Sequence, residues 1–391
     1  MRAPRWCVTD MDLNDWHRSL RAQFPQIAGN PDLAYLDNAA TSQKPQAVLD
    51  AVFSYLTTGN ANAARGSYPW ANRTTSRIEE ARHRLRRFFS DISEISGVHF
   101  VSGTTEGLRA VARDWLLPQL KPGDEILVPH ADHSANLLPW EEAAALSGAV
   151  VRSLPYDSAH DYAFRDLAIS PRTRLIAATH VHHVYGNDMN VHRLRTLAPD
   201  VPICLDAAQS FGHLPLSVAD LDVDFVVFSG HKAMALPGIG AVWARNQRGP
   251  EFRLGGWAGS PNTAGIVSLV AAMDWLDEAG LDRIESWNRA LGLRLTDGLS
   301  KLPDYEVLGC QQSLTIDSPV QQRHGIVAFR HHAISSNDLG FILSSHGLLV
   351  RSDAHCQAVA GEKTSSVRVS VHAYNSPEEI DRLLEVLSGM S

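Results

Sequence analysis

The stretch DFVVFSGHKAMALPGIG, residues 224–240, decides the fold. Phe225 to Phe228 form an unbroken apolar run, and such a run reads as a strand buried on both faces, without the polar alternation of a half-exposed one. Past it come Ser229, Gly230, His231 and then Lys232. In open α/β sheets, ligands sit at the carboxyl ends of strands. A lysine there, flanked by a hydroxyl, an imidazole and glycines, points to chemistry.

Similar runs recur on either side: VHFVSG (98–103), DEILVPH (124–130), AVVRSLPY (149–156), RLIAATHV (174–181), PICLDAA (202–208) and GIGAVWAR (238–245). Helical patterns separate several of them, among them TTEGLRAVARDWL (104–116) and SANLLPWEEAAALSG (134–148). Strands alternating with helices predict βαβ units and a mostly parallel sheet. The pattern changes after about residue 280. GIVAFRHH (325–332), LLVRS (348–352) and SSVRVSVHAY (365–374) read as strands, and SSNDLGFILSSHG (335–347) as a helix. A last helix begins with Ser376 as cap, Pro377 at its first position and Glu379 three residues past the cap, a capping box. Its apolar face is Ile380, Leu383, Leu384 and Leu387. The organisation expected is an N-terminal segment (1–23) packed near the smaller unit, a large ligand-binding domain (24–280) and a small α+β C-terminal domain (281–391).

A chain of 391 residues is long enough for two cores. The net charge of −8 argues against nonspecific binding to nucleic acid or to an anionic membrane. No run of apolar residues is long enough to span a bilayer, and MRAPRWCVTDMDLNDWHRSL lacks the core of a signal peptide, so a cytoplasmic enzyme is expected. Cys7, Cys204, Cys310 and Cys356 are widely spaced and form no CxxC pair. They suggest neither a disulfide framework nor a zinc site.

The other strand ends also carry polar residues. Thr104 and Thr105 open a helix beside Gly103, where free N–H groups and hydroxyls suit a phosphate, although simple capping is the commoner use of threonine. Asp206 directly follows a buried strand; it is either a cap or the partner of a cationic ring nitrogen, and Gln209 lies one turn on. His133 is either a satisfied loop histidine or a ring that stacks on a flat ligand and carries protons. With Lys232, which can form an imine with an aldehyde cofactor, the ordered combination specifies pyridoxal 5′-phosphate.

The motifs YLDNAAT (35–41), SGTTEG (102–107), HSANLLPW (133–140), LDAAQ (205–209), SGHK (229–232), GSPN (259–262) and RSDAHC (351–356) carry a resemblance to the class V aminotransferase family. Within that family the chain most resembles the SufS/CsdA-type group II cysteine desulfurases, also called selenocysteine lyases. The resemblance implies an α/β, fold type I transferase with a seven-stranded type of sheet, a homodimer, and conversion of L-cysteine to L-alanine with the sulfur passed on to an acceptor protein. It implies that Lys232 holds the cofactor and moves the Cα proton, that Asp206 pairs with the ring nitrogen, and that Gln209 and His183 face the ring's phenolic oxygen. His133 would stack on the ring, and Thr104, Thr105, Ser229, His231 and, across the dimer, Ser260 would face the phosphate. Arg368 would grip the substrate carboxylate, with Arg65 and Asn38 nearby. Cys356 would take the sulfur as a persulfide, helped by positive charge from Arg351 and His355.

Several positions depart from the group II pattern, and most surround the substrate rather than the cofactor. His183 stands where that pattern has Asn. The segment between Lys232 and Ser260 is short, SDAHCQ lacks a glycine before His-Cys, and Ala64 replaces a common His. A second reading is therefore a related enzyme on another amino acid: a C–S β-lyase, selenocysteine lyase, epimerase or aminotransferase. A third is a non-catalytic sulfur-relay scaffold. The histidines of HVHHVYGND (180–188), with His192, invite a metal reading, but no carboxylate or thiol set accompanies them. Strand alternation predicts His180 and His182 on one face and His183 on the other.

Overall fold

The computed structural model describes residues 10–64, 66–129, 132–154, 167–255, 260–309, 323–357 and 365–390. Its strands, in chain order, are β1 (Ala34–Tyr35), β2 (Gly97–Val101), β3 (Glu125–Val128), β4 (Val150–Ser153), β5 (Thr173–Thr179), β6 (Ile203–Asp206), β7 (Phe225–Ser229), β8 (Gly240–Ala244), β9 (Tyr305–Val307), β10 (Ile326–His331), β11 (Leu348–Leu349), β12 (Arg351–Asp353) and β13 (Ser366–Ser370).

Seven of them form one sheet in the order β2-β8-β7-β6-β5-β3-β4. Every pairing from β7 through β4 is parallel, and only β8 runs against its neighbours β2 and β7. The reversal has a local cause. A parallel return needs a crossover of a dozen or more residues, whereas β7 and β8 are joined by the short segment 230–239, which turns through Gly238 at φ +76°. All five residues of β7 are buried, as the apolar run predicted. The helices Gln46–Thr58, Pro69–Phe88 and Thr263–Ala279 pack together, and Val48, Ile78 and Leu269 join the core on one side of the sheet. The helices Thr104–Ala110 and Leu138–Ser147 bury Leu108 and Trp140 in the other. The run predicted as one helix over 104–116 instead widens to π-helical hydrogen bonding at Val111–Leu116, ahead of Pro118, which has no N–H to donate.

A four-stranded antiparallel sheet, β12-β13-β10-β9, forms the second layer system. The helix Leu281–Leu299 presents Trp287, Leu291 and Leu295 to its core, and the helix Pro377–Ser388 adds Ile380, Leu383 and Leu387. The capping box of that last helix is formed as the sequence predicted. The helix Asp10–Arg21 packs beside it: the His17 ring stacks on Trp287 at 4.5 Å, and Arg21 pairs with Glu379 at 2.8 Å. Residues 34–37 also reach across. β1 pairs with β11, and Ala34 and Leu36 lie in the smaller core. No helix among the described residues is long and apolar enough to cross a membrane.

Candidate active site

With β8 the lone reversed strand, the carboxyl ends of β2, β3, β5, β6 and β7 open on one cavity of about 250 Å³. At one end, beyond β2 and β7, the Thr104 backbone N–H donates to Ser229 Oγ at 2.8 Å, and the two hydroxyls lie 2.8 Å apart. Thr105 and His231 line the same end. Burial and the charge of Lys232 hold His231 neutral, with its pKa lowered to about 4.

Lys232 stands in the middle. Burial lowers its amine to about 8, against the pull of Asp206 in the other direction. Its carbonyl is held by His213 Nε2 at 3.0 Å. Asp206, at the tip of β6, accepts the Ala208 N–H at 2.8 Å. Burial and the neighbouring Asp132 push its carboxyl up to about 7. A carboxylate so placed is stabilised by an arriving cation. Gln209 donates to the Ala39 carbonyl at 3.0 Å, and its Oε1 has no partner among the described residues. His133 Nδ1 accepts the Ala135 N–H at 3.1 Å, which puts the ring proton on Nε2. Burial and Lys232 lower this ring to about 4. A hydroxyl-rich end, a central amine and a buried acid thus share one space.

The opposite wall comes from the smaller sheet. Arg351 and Arg368 are directly paired across β12 and β13, and both line the cavity. Each guanidinium has its own acid: Arg368 Nη2 donates to Asp37 at 3.0 Å and Arg351 Nη2 to Asp353 at 2.9 Å. Arg368 Nη1 also donates to the His183 carbonyl at 3.0 Å, and Nε has no partner among the described residues. Past β12 the chain enters the left-handed region at two successive residues, His355 at φ +55° and Cys356 at φ +60°. No glycine relieves this, and residues held there cost of order 1 kcal/mol or more each. The turn is held by Ser134 N–H donating to the Cys356 carbonyl at 3.0 Å and by the His355 N–H donating to Asp353 at 2.5 Å. It leaves Cys356 exposed, with Arg351 Nη2 3.2 Å from Sγ.

The Aminotransferase class-V model matches residues 34–383. The chain belongs to the class V aminotransferase family. A probable cysteine desulfurase of Vibrio cholerae is 33% identical over 405 aligned residues, covering 94% of this chain and 97% of that protein. The crystal structure of the cysteine desulfurase CsdA (S-sulfonic acid) from Escherichia coli superposes with a TM-score of 0.83 at 30% identity, covering 95% of this chain and 98% of that one. The apo cysteine desulfurase of Thermococcus onnurineus NA1 gives 0.85 at 29% identity, with 95% and 97% covered.

In this class V chain the cavity gathers Thr104, Thr105, His133, His183, Asp206, Gln209, Ser229, His231, Lys232 and Arg368, as expected from the sequence. It does not gather all the expected residues. Asn38 is fully buried off the cavity wall, where its amide donates to the Ser370 carbonyl at 2.7 Å and to Asn375 at 3.1 Å, and its oxygen accepts from the Tyr374 hydroxyl. Its hydrogen-bonding capacity is spent on structure. Ser260 is exposed and does not line the cavity within this one chain. Arg65, Cys7, Cys310 and Gly259 fall outside the described residues. Cys204 is buried in β6 as expected. His355 supplies no charge to Cys356: it is buried, bonded to Ser366 at 2.9 Å, and lowered to about 3 by burial and Arg368.

Two further corrections concern the histidine run. Alternation fails because β5 ends at Thr179, and the His182 and His183 rings stack at 4.9 Å and 30°. A carboxylate does accompany them: Asp132, missed in the sequence, brings a ligand atom within 4.8 Å of those of both rings. His182 Nδ1 is taken by the Val184 and Tyr185 N–H groups, and the Asp132 oxygens accept the His133 N–H and the Asn136 amide, so these atoms of the cluster already have protein partners. Asp37, the partner of Arg368, was also missed. Its signal was an acid inside YLDNAAT, next to the Asn that was chosen instead.

Proposed function

We propose that this chain is a pyridoxal 5′-phosphate-dependent cysteine desulfurase, converting L-cysteine to L-alanine and taking the sulfur onto Cys356. The observation that carries this reading is the convergence of Lys232, Asp206 and Arg368 on one cavity, with Cys356 displayed beside it. The cavity's chemistry fits the cofactor: a Gln209 Oε1 with no partner among the described residues, a buried acid that a cation would stabilise, and hydroxyls at the far end.

When bound, the cofactor supplies an electrophilic carbon for amines and a ring that accepts the electrons of the substrate Cα–H bond. Lys232 is the amine that would hold it and the base that would take the Cα proton of the substrate. Its lowered pKa of about 8 keeps far more of it neutral at physiological pH than an ordinary lysine. Asp206 pairs with the ring nitrogen. Thr104, Thr105, Ser229 and His231 face the phosphate, and Gln209 and His183 the phenolic oxygen. His133 packs on the ring and relays protons. Arg368 binds the substrate carboxylate as a two-donor fork. The Cys356 thiolate attacks the substrate Sγ; a new S–S bond forms, the Cβ–Sγ bond breaks, and its electron pair passes to the carbon skeleton, which is protonated to alanine. Arg351 steadies the negative sulfur.

The reading extends to a cytoplasmic homodimer that hands the persulfide to an acceptor protein and binds neither nucleic acid nor membrane. Leu49, Phe53 and Leu56 on the helix Gln46–Thr58, with Tyr68 and Trp70, leave apolar surface exposed, Phe53 by 70%, which favours a second copy as cover. Ser260 faces the phosphate across that dimer, and Arg65 is a further substrate-binding residue. The division at residues 23 and 280 remains part of the reading, with residues 34–37 lending a strand to the smaller unit.

Product analysis tests it. The reconstituted protein given L-cysteine yields alanine and a persulfide on Cys356, and Cys356→Ala removes the persulfide while the visible spectrum still responds to cysteine. Pyruvate and ammonia without persulfide would overturn it in favour of β-elimination, and an active Lys232→Ala enzyme would overturn it entirely.

A further inference from the structure

Asp132 and His183 arrive at the cavity from different strand ends, past β3 and past β5. Both are buried, with 1% and 4% of their surface exposed. Asp132 Oδ1 accepts the His133 N–H at 2.7 Å, and Oδ2 accepts Asn136 Nδ2 at 3.3 Å. The same Oδ1 stands 3.3 Å from His183 Nδ1. The His183 ring is clamped between His182, stacked on it, and His133, edge-on at 5.2 Å and 78°. His182 is backed in turn by Tyr185 at 4.5 Å and 14°. The ring lines the cavity, and neither Nδ1 nor Nε2 makes a hydrogen bond among the described residues, so the approach of Asp132 is a charge contact.

We infer that Asp132 and His183 act as one charge-coupled pair, in which the Asp132 carboxylate favours the imidazole proton on Nδ1 and His183 offers Nε2 to a ring oxygen of the bound cofactor. This rests on the cofactor assignment above and goes beyond it. A neutral imidazole has one donor and one acceptor nitrogen. With a single proton in the pair, Asp132 draws it to Nδ1 and Nε2 is an acceptor. With a second proton on the imidazole itself, Nε2 is a donor. The amide of an Asn at this position would donate at every pH. His183 therefore turns a fixed donor into a gated one, and Asp132 is its positioning residue. The groups facing the pair are Lys232 past β7, Arg368 on β13, Arg351 on β12, His355 beyond it, Asp206 at the tip of β6, and the adjacent His133 and His182. The cations oppose the second proton, and Asp206 favours it. Burial disfavours ionisation of either partner, which raises the Asp132 carboxyl and lowers His183.

The test is a spectrophotometric pH titration of cofactor-loaded wild type, His183→Asn and Asp132→Asn, without substrate. The visible absorbance of the wild type titrates with a step that is lost, or moved by about one pH unit or more, in both variants. A merely structural role would lower cofactor occupancy and leave the midpoint in place. Identical titrations in wild type and His183→Asn overturn the inference, and His183→Asn decides alone if Asp132→Asn does not retain cofactor. A wild-type protein that develops no visible band with pyridoxal phosphate overturns the cofactor assignment, and this inference with it; the two failures look different on the spectrophotometer.

Discussion

Arg351 Nη2 lies 3.2 Å from Cys356 Sγ while the same guanidinium grips Asp353. The sulfur is thus exposed to solvent yet meets a fixed positive charge, the environment of reactive rather than structural cysteines. Arg351→Ala removes the donor and should slow alkylation of Cys356 by iodoacetamide at neutral pH by roughly tenfold, the order expected of a charge-assisted hydrogen bond. Mass spectrometry of the labelled peptide reads the rate. An unchanged rate would mean that the contact does nothing for reactivity.

The acidity of Lys232 sets how fast the cofactor can load. Burial lowers the amine to about 8, and only the neutral form attacks an aldehyde. The loading rate of the apoprotein should rise with pH, pass its midpoint near 8 and level off about one unit above that. Stopped-flow absorbance checks this, and a rate still climbing at 10 would assign Lys232 an ordinary amine.

Asp206 has the opposite problem. Its folded pKa, about 7, lies above the unfolded value near 3.8, so the folded state holds the proton more tightly. This contribution to stability is present at low pH and is lost as pH rises from about 4 to 7. Apoprotein carrying Asp206→Asn escapes that loss and should melt roughly 2 °C above wild type at pH 8. With cofactor bound the order reverses, because the ring cation needs the carboxylate, and turnover falls at least a hundredfold. Thermal denaturation of both forms decides it.

Gly212 supports the lysine from behind. Its φ is +80°, and a Cβ there would come within 2.5 Å of the Ala233 Cβ, next to Lys232. Gly212→Ala combines a disfavoured backbone with overpacking and should cost about 2 kcal/mol or more in urea denaturation. Cofactor affinity should weaken in parallel.

Arg368 is bonded to Asp37 and the His183 carbonyl, which fixes its plane. Arg368→Lys keeps the charge and loses the fork, so KM for cysteine should rise about tenfold or more with a smaller change in kcat. A pure loss in kcat would place Arg368 elsewhere in the reaction.

The large sheet was legible because its strands are short, apolar and separated by helices, and because ligands collect at strand ends. Thr104, His133, Asp206 and Lys232 could be chosen on that rule alone. What was not legible depended on where a strand stops. β5 ends one residue before His180, so the expected alternation of His180, His182 and His183 never begins. Asn38 and Asp37 are adjacent in sequence, and only the fold shows that Asp37 turns to Arg368 while Asn38 turns inward to Tyr374 and Asn375. His355 looked like a source of charge beside Cys356, but the local turn buries it against Ser366.

The Asn38 contacts have one more consequence. This side chain ties residues 35–38 to Ser370, Tyr374 and Asn375, next to the strand that carries Arg368, while Ser42 and Thr41 of the following loop bond the carbonyl beside Lys232. The gap between the amine and the guanidinium is therefore set like the jaws of a locked caliper. Such a gauge measures only the amino and carboxylate ends, which every α-amino acid shares. Telling cysteine from its neighbours is left, on the proposed reading, to the turn bearing Cys356, and because His355 of that turn is bonded to Ser366 on the strand of Arg368, re-engineering one kind of discrimination loads the other.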